Sequence, residues 1–159
     1  MHAPEIAKQI LPGQFLNIKV SDSLTPLLRR PFSVSDVCDA EISILFHVCG
    51  EGTSILAQKK PNDLVDVIAP LGNGFSIHGD YKSAILVAGG IGVAPFPFLT
   101  KELIRAGKEV ITFYGATNAE VICDSKLINT NIATDNGSAG YHGTVVELLE
   151  KKLSAFPIE

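Results

Sequence analysis

Leu86-Val87-Ala88-Gly89-Gly90-Ile91-Gly92-Val93-Ala94-Pro95 is an aliphatic run that passes into glycines and then into a proline. Its apolar part, which begins at Ala84, has the length and composition of a buried strand. Pro95 suits the first turn of a helix, where its missing N–H would have no partner in any case, and Gly107 suits the position just past a helix end. The stretch from about 95 to 106 therefore reads as a helix, and VITFYG at 110–115 reads as the next strand. Strand, helix and strand in that order make a βαβ unit, in which the strands run parallel. The same logic places a third strand near 131–134. A last helix starts at Thr144, because Thr144-Val145-Val146-Glu147 has the form of a capping box.

Upstream the texture is different. QFLNIKV, RRPFSVSDV, EISILFHV and DLVDVIAP are short apolar runs separated by turn residues, the pattern of strands in a small barrel or sandwich. The run from Glu41 to Phe46 alternates in part, and Cys38-Asp39-Ala40 before it can turn a hairpin, so neighbouring strands are expected to pair antiparallel. One helix is expected within this half, over residues 53–60. It opens on the Thr53 hydroxyl and ends on Lys59 and Lys60, whose charges suit a helix C-terminus, before Pro61 stops it. A change of pattern at residues 78–82 marks a linker, and no internal repeat or low-complexity segment interrupts either half.

Composition narrows the class. With 159 residues the chain can form one solid domain or two small ones, and 46% hydrophobic against 19% charged residues excludes disorder as a starting reading. The net charge of −4 contains no basic block longer than the pairs Arg29-Arg30, Lys59-Lys60 and Lys151-Lys152. Nucleic acid is not an expected partner, since neutralising phosphates needs a basic face. The three cysteines, Cys38, Cys49 and Cys123, form neither a CxxC pair nor a disulfide framework, which fits a reducing, cytoplasmic setting. No secretory signal pattern opens the chain, and its longest uncharged run, 84–100, is broken by Gly89, Gly90, Gly92, Pro95 and Pro97. A membrane is therefore not an expected partner either.

Three places carry possible chemistry, and each has two readings. The glycine loop at 89–95 can cradle a pyrophosphate on backbone N–H groups, or it can be a tight turn with no ligand. It departs from the usual dinucleotide fingerprint: Pro95 takes the third glycine position, and no acidic residue closes the strand at Tyr114-Gly115. Leu28-Arg29-Arg30-Pro31-Phe32-Ser33 sets a cation, a ring and a hydroxyl close together, either for a phosphate and a planar ligand or as a surface cation beside a core phenylalanine. Cys49-Gly50-Glu51-Gly52-Thr53 leads into a helix, as a phosphate-facing N-terminus or as an ordinary cap.

The order of the three is specific. Arg30-Pro31-Phe32-Ser33 resembles the Arg-x-Tyr-Ser flavin motif of the ferredoxin-reductase family, with Phe32 in the tyrosine position. Gly50-Glu51-Gly52-Thr53 resembles that family's FAD-pyrophosphate cap, and residues 89–95 its nicotinamide-dinucleotide loop. Within the family, LLRRPFSV, PLGNGF at 70–75 and ATDNGS at 133–138 with Gly140 and Gly143 are most similar to the electron-transfer subunits of bacterial dihydroorotate dehydrogenase.

The resemblance implies two domains: an N-terminal antiparallel β-barrel binding FAD, residues 1–78, and an α/β Rossmann-like nucleotide-binding domain with a parallel sheet, residues 83–159. It implies that Arg30 binds the FAD pyrophosphate, that Phe32 packs on the flavin beside Pro31, and that Ser33 lies near flavin N5. Leu45, Phe46 and His47 would touch the cofactor ahead of the cap at Gly52 and Thr53. NAD(H) would lie on Gly89, Gly90, Gly92, Val93 and Pro95, with Gly115, Ala116 and Asp135 at strand ends around the same crevice. NAD is expected rather than NADP, because no basic cluster occurs over 114–124. No catalytic side chain is expected, since the two cofactors carry the hydride chemistry. No metal site is expected at His47, which lacks a second His or Cys at ligand spacing.

The implied partner is an FMN-containing dihydroorotate dehydrogenase catalytic subunit, in a hetero-oligomer. The alternatives are a diaphorase subunit of a hydrogenase or of an NADH-dependent ferredoxin:NADP oxidoreductase, and, more remotely, a non-enzymatic assembly module. The family's Cys-Gly-Pro segment and its [2Fe–2S] cysteine cluster are absent from this sequence, so the three cysteines read as structural or incidental thiols. The sequence also opens close to PGQF at 12–15, which resembles the middle of the barrel, so a first strand is expected to be missing and the chain to be an internal portion of a longer subunit.

Overall fold

A computed structural model gives the structure of the chain and describes residues 1–124 and 126–154. They form two compact units, Met1–Ser76 and Ile77–Glu159.

In the first unit, β1 (Phe15–Lys19), β2 (Arg30–Cys38), β3 (Glu41–Ile44) and β4 (Asp66–Leu71) make an antiparallel sheet of order β3-β2-β1-β4. Alternation decides which face is inside: Leu16 and Ile18 of β1, Val34 of β2 and Ile42 of β3 are at most 1% exposed. Each such side chain stabilises the fold by about 1.5–3 kcal/mol relative to exposure. The expected hairpin is present, and Asp39 takes its left-handed position at φ 51°.

β2 changes partners midway. Residues 30–33 pair with β1, whereas the stretch from Val34 to Cys38 pairs with β3 across a bulge between Val34 and Asp36. A strand that switches neighbours at a bulge turns a corner, which is how a small sheet curls. β3 stops at Ile44 rather than running through EISILFHV: its pairing with β2 ends at Val34 and Ile44, and residues 45–49 have no regular secondary structure.

Two helices belong to this unit. The short α1 (Pro4–Ala7) has no strong sequence signal beyond proline at its first position. α2 (Glu51–Ala57) begins two residues earlier than the Thr53 hydroxyl suggests and ends before Lys59 and Lys60, which follow its C-cap Gln58. Its N-cap is Gly50, with Thr53 at the third position. The Thr53 hydroxyl reaches back, accepting from Cys49 N at 3.0 Å and Gly50 N at 3.1 Å and donating to the Gly50 carbonyl at 3.0 Å.

The second unit is a parallel sheet of order β5-β6-β7-β8, formed by β5 (Ser83–Gly89), β6 (Glu109–Ala116), β7 (Thr130–Thr134) and β8 (Tyr141–His142). α3 (Phe96–Arg105) buries Phe96, Phe98, Leu99, Thr100 and Leu103 and packs on β6. α4 (Val145–Leu153) seats Leu148 on Phe113 and Ala133. α3 ends in a Schellman motif: Gly107, at φ 75°, donates to the Ile104 carbonyl and Lys108 to that of Leu103, both at 2.9 Å. α4 starts with the expected capping box, Glu147 N donating to Thr144 Oγ1 at 3.2 Å and Thr144 N to Glu147 Oε2 at 2.7 Å. The bond from Thr144 N, with one from the Thr144 hydroxyl, holds the Glu147 carboxyl below its ordinary pKa.

Candidate functional site

The first unit brings together two segments that the sequence keeps apart. Arg30 opens β2 opposite Ile18, and its side chain lies across the first turn of α2: a Cβ built on Gly52 would sit 3.2 Å from Arg30 Nε and 3.6 Å from Cζ. Any larger residue at position 52 would displace the guanidinium. Arg30 Nη1 donates to the Leu28 carbonyl, which fixes one edge of the group. Gly50 is open, with nothing within 4 Å of a built Cβ. A half-buried guanidinium beside a helix start, with an unobstructed glycine next to it, is a donor set suited to a diphosphate.

The other candidates of this unit divide. Phe32 is 8% exposed and packs on Phe46 with the rings tilted, centroids 5.4 Å apart at 59°. Ser33 is half-buried, as is Leu45, while Pro31 and His47 are exposed. Thr53 spends its hydroxyl on the 49–50 backbone, so it shapes the cap rather than offering a free donor.

Arg29 is the residue to which sequence reasoning gave no role. Its guanidinium turns to the Asp66 carboxylate at 2.7 Å and the Asp66 carbonyl at 3.1 Å. The hydrogen bond from Arg29 holds the Asp66 carboxyl below its ordinary pKa. Strand alternation was the available signal: of two consecutive arginines at a strand start, only one can face a given side.

In the second unit the candidates gather at the carboxyl ends of β5, β6 and β7, where open α/β sheets bind ligands. Gly89 leaves β5 in extended geometry, and Gly90–Val93 form a 3₁₀ turn with Gly90 at φ 53°. α3 then begins at Phe96 with Pro95 as its N-cap, so the turn, not the α-helix itself, follows the strand directly. Built Cβ atoms on Gly89, Gly90 and Gly92 meet nothing within 4 Å. Packing therefore does not require these glycines, and their backbone is open to a ligand. Val93 is 1% exposed and anchors the turn in the core.

Gly115 differs. A Cβ there would meet that of Val145 at 2.8 Å, so this glycine serves the seating of α4. Ala116 is buried, and its carbonyl accepts from Asp135 N at 3.0 Å, leaving the Asp135 side chain exposed at the end of β7. The loop that follows is tied down: Asn136 Oδ1 accepts from the Ser138 backbone and hydroxyl at 3.0 and 2.6 Å, and Ser138 Oγ accepts from Ala119 N at 2.8 Å.

A cleft of about 640 Å³ lies at the opposite, amino end of this sheet, against Val110, Ile111, Ile128 and Asn131. The nearby Lys108 ammonium is already spent on the Gly79 and Tyr81 carbonyls, and the amino ends of parallel strands are not where such sheets take ligands. Among the described residues, no group of three or more His, Cys, Asp or Glu side chains could hold a metal ion, and no helix is long and apolar enough to cross a membrane.

No protein-family model matches the chain. Among solved structures it is similar to the NADH-dependent reduced ferredoxin-NADP oxidoreductase, with a TM-score of 0.84 and 31% identity, over 96% of this chain and 56% of that one. It is also similar to phthalate dioxygenase reductase, with a TM-score of 0.65 and 25% identity, over 80% of this chain and 43% of that one. The chain shares with these ferredoxin-NADP reductase-like structures the fold of an antiparallel sheet followed by a parallel α/β unit. Its curated relatives are electron transfer subunits of dihydroorotate dehydrogenase B (NAD(+)): it is 40% identical to that of Desulforamulus reducens over 95% of this chain, and 41% identical to that of Bacillus velezensis over 92%. In each case the chain spans 60% of the relative's length.

Proposed function

We propose that this chain is the flavin- and nicotinamide-binding portion of an electron-transfer subunit, working between NAD(H) and FAD as part of a cytoplasmic dihydroorotate dehydrogenase of pyrimidine biosynthesis. The observation that carries the reading is the seating of Arg30 against Gly52, which joins the two halves of a diphosphate site from distant parts of the sequence. The likeness to electron transfer subunits of dihydroorotate dehydrogenase B (NAD(+)) supports the finer assignment.

Arg30 grips the FAD diphosphate, and the open backbone at Gly50 and the α2 start completes its cradle, held in shape by Thr53. Phe32 and Phe46 form the apolar floor under this site, with Pro31, Ser33, Leu45 and His47 around it. In the second unit, the open glycines 89, 90 and 92 let a dinucleotide approach the backbone, braced by Val93 and Pro95, with Ala116 and the Asp135 carboxylate at the neighbouring strand ends. Gly115 contributes by letting α4 close on β6. The absence of any lysine or arginine over 114–124 favours NAD over NADP. When bound, FAD supplies the hydride chemistry, so the side chains bind and orient rather than transfer protons.

The partner in this reading is an FMN-containing catalytic subunit. No iron–sulfur ligands are assigned to Cys38, Cys49 or Cys123, which are all exposed. The likeness at TM-score 0.84 to the NADH-dependent ferredoxin-NADP oxidoreductase favours a second reading, a diaphorase subunit of such an enzyme. The test of the site is FAD binding by the reconstituted protein, followed by visible absorbance and flavin fluorescence. Arg30→Ala is expected to weaken it by about 10- to 100-fold, the loss of one charged hydrogen-bonding group. Unchanged affinity would remove Arg30 from the diphosphate.

A further inference from the structure

Arg29 and Arg30 are consecutive, yet their side chains do different things. Arg29 Nη1 donates to the carbonyls of Asn17 on β1 at 3.5 Å and Asp66 on β4 at 3.1 Å, and Nη2 donates to Asp66 Oδ2 at 2.7 Å. One guanidinium thus ties the entry of β2 to both strands on that side of the sheet. The Arg29 side chain is 27% exposed against 55% for Asp66, so the pair is more than a loose surface contact, but it is not buried. Ion pairs at such sites contribute little to global stability. Their effect is on local geometry.

The connection that Arg29 anchors is held mainly by polar contacts near its start, Lys19 Nζ donating to Asp22 Oδ1 at 2.9 Å and Ser23 N to Ser21 Oγ at 3.1 Å. Leu24, Leu27 and Leu28 are 86%, 71% and 72% exposed, so the segment before β2 buries almost no apolar surface through these residues. Segments with few buried contacts open at low cost. Yet Leu28 supplies the carbonyl that accepts from Arg30 Nη1, and Arg30 Nε lies 3.2 Å from where a Cβ at position 52 would stand. The aim of Arg30 therefore depends on where Leu28 sits, and Leu28 is bonded directly to Arg29.

We infer that Arg29 is a positioning residue: by clamping the start of β2 to Asn17 and Asp66, it holds the Leu28 carbonyl in place and so aims the Arg30 guanidinium across Gly52. The inference rests on the assignment of Arg30 to the FAD diphosphate. A lysine at position 29 has one compact head and cannot serve a carboxylate and two carbonyls in the same fixed plane, so it is expected to restore the clamp only in part.

The experiment is a double-mutant cycle read by FAD dissociation constants from flavin fluorescence, on the wild type, Arg29→Ala, Arg30→Ala and the double variant, with Arg29→Lys as the graded case. Circular dichroism of each FAD-free protein checks the fold. Arg29→Ala is expected to weaken FAD binding about tenfold, roughly one charged hydrogen bond's worth, with little change in melting temperature. Arg29→Lys is expected to fall between. In the Arg30→Ala background the same change at 29 should have almost no further effect, because there is no guanidinium left to aim. Equal loss from Arg29→Ala in both backgrounds would overturn the positioning role, as would wild-type affinity in Arg29→Ala when Arg30→Ala is impaired. Wild-type affinity in Arg30→Ala would instead overturn the Arg30 assignment, and the positioning role with it.

Discussion

Gly52→Ala separates stability from binding at a single carbon atom. Gly52 is the second residue of α2, so alanine there relieves the conformational penalty of glycine, a gain of up to about 1 kcal/mol. The new Cβ would stand 3.5 Å from Arg30 Cγ, an ordinary contact, and 3.2 Å from Nε, which is tighter, so the arginine must give by a few tenths of an ångström. An arginine can yield that distance without unfolding anything, since its side chain is long and flexible, with Nη1 held by the Leu28 carbonyl. Its hydrogen bonds to a phosphate are directional, however, and each is worth about 1.5–3 kcal/mol when well formed. Losing about half of one such bond corresponds to an affinity loss of about five- to tenfold. The assay is a pair of measurements on one preparation: thermal unfolding of the FAD-free protein and FAD dissociation by flavin fluorescence. The expected result is a melting temperature equal to or above that of the wild type, with FAD bound about five- to tenfold more weakly. Unchanged FAD affinity at unchanged or higher stability would refute the placement of the diphosphate between Arg30 and the α2 start.

Other substitutions test the second unit. Gly115→Ala drives a methyl into Val145 and is expected to destabilise by about 1–3 kcal/mol in urea unfolding, through overpacking under α4. Gly92→Ala, where a Cβ meets nothing, should leave stability unchanged within about 0.5 kcal/mol while weakening NADH binding in a fluorescence titration. Thr144→Ala removes the α4 cap and is expected to cost about 1 kcal/mol. Glu147→Ala probes the same box by pH. Hydrogen bonds from Thr144 depress its carboxyl pKa in the folded state, so its contribution is complete above the unfolded glutamate value and is lost as pH falls through the lowered folded value. The stability gap between wild type and Glu147→Ala should narrow in acid below about pH 4.3, and a gap independent of pH would contradict the box.

Much of the second unit was legible because its signals are local. Thr144 and Glu147 carry their capping box within four residues, and Gly107 alone supplies the left-handed end of α3. Three apolar strands separated by helical spacing then leave few parallel arrangements. The first unit was harder, since its boundaries depend on pairing between distant residues. Nothing local in EISILFHV says that its pairing with β2 ends at Ile44, opposite Val34. Thr53 was readable as a capping hydroxyl, but whether it acts from the N-cap or reaches back from the third position depends on where the helix begins. The candidate site had the same division. The glycine loop announces itself, whereas the different employment of Arg29 and Arg30, and the packing duty of Gly115, exist only once α2, β4 and α4 are in place.

The measurement that bears most directly on the whole account is an anaerobic titration of the FAD-reconstituted protein with NADH, following flavin absorbance. The account predicts that the protein takes up FAD and that its visible band bleaches on addition of NADH, with NADPH much less effective. A protein that takes up no flavin, or whose bound flavin keeps its oxidised spectrum in excess NADH, would contradict it.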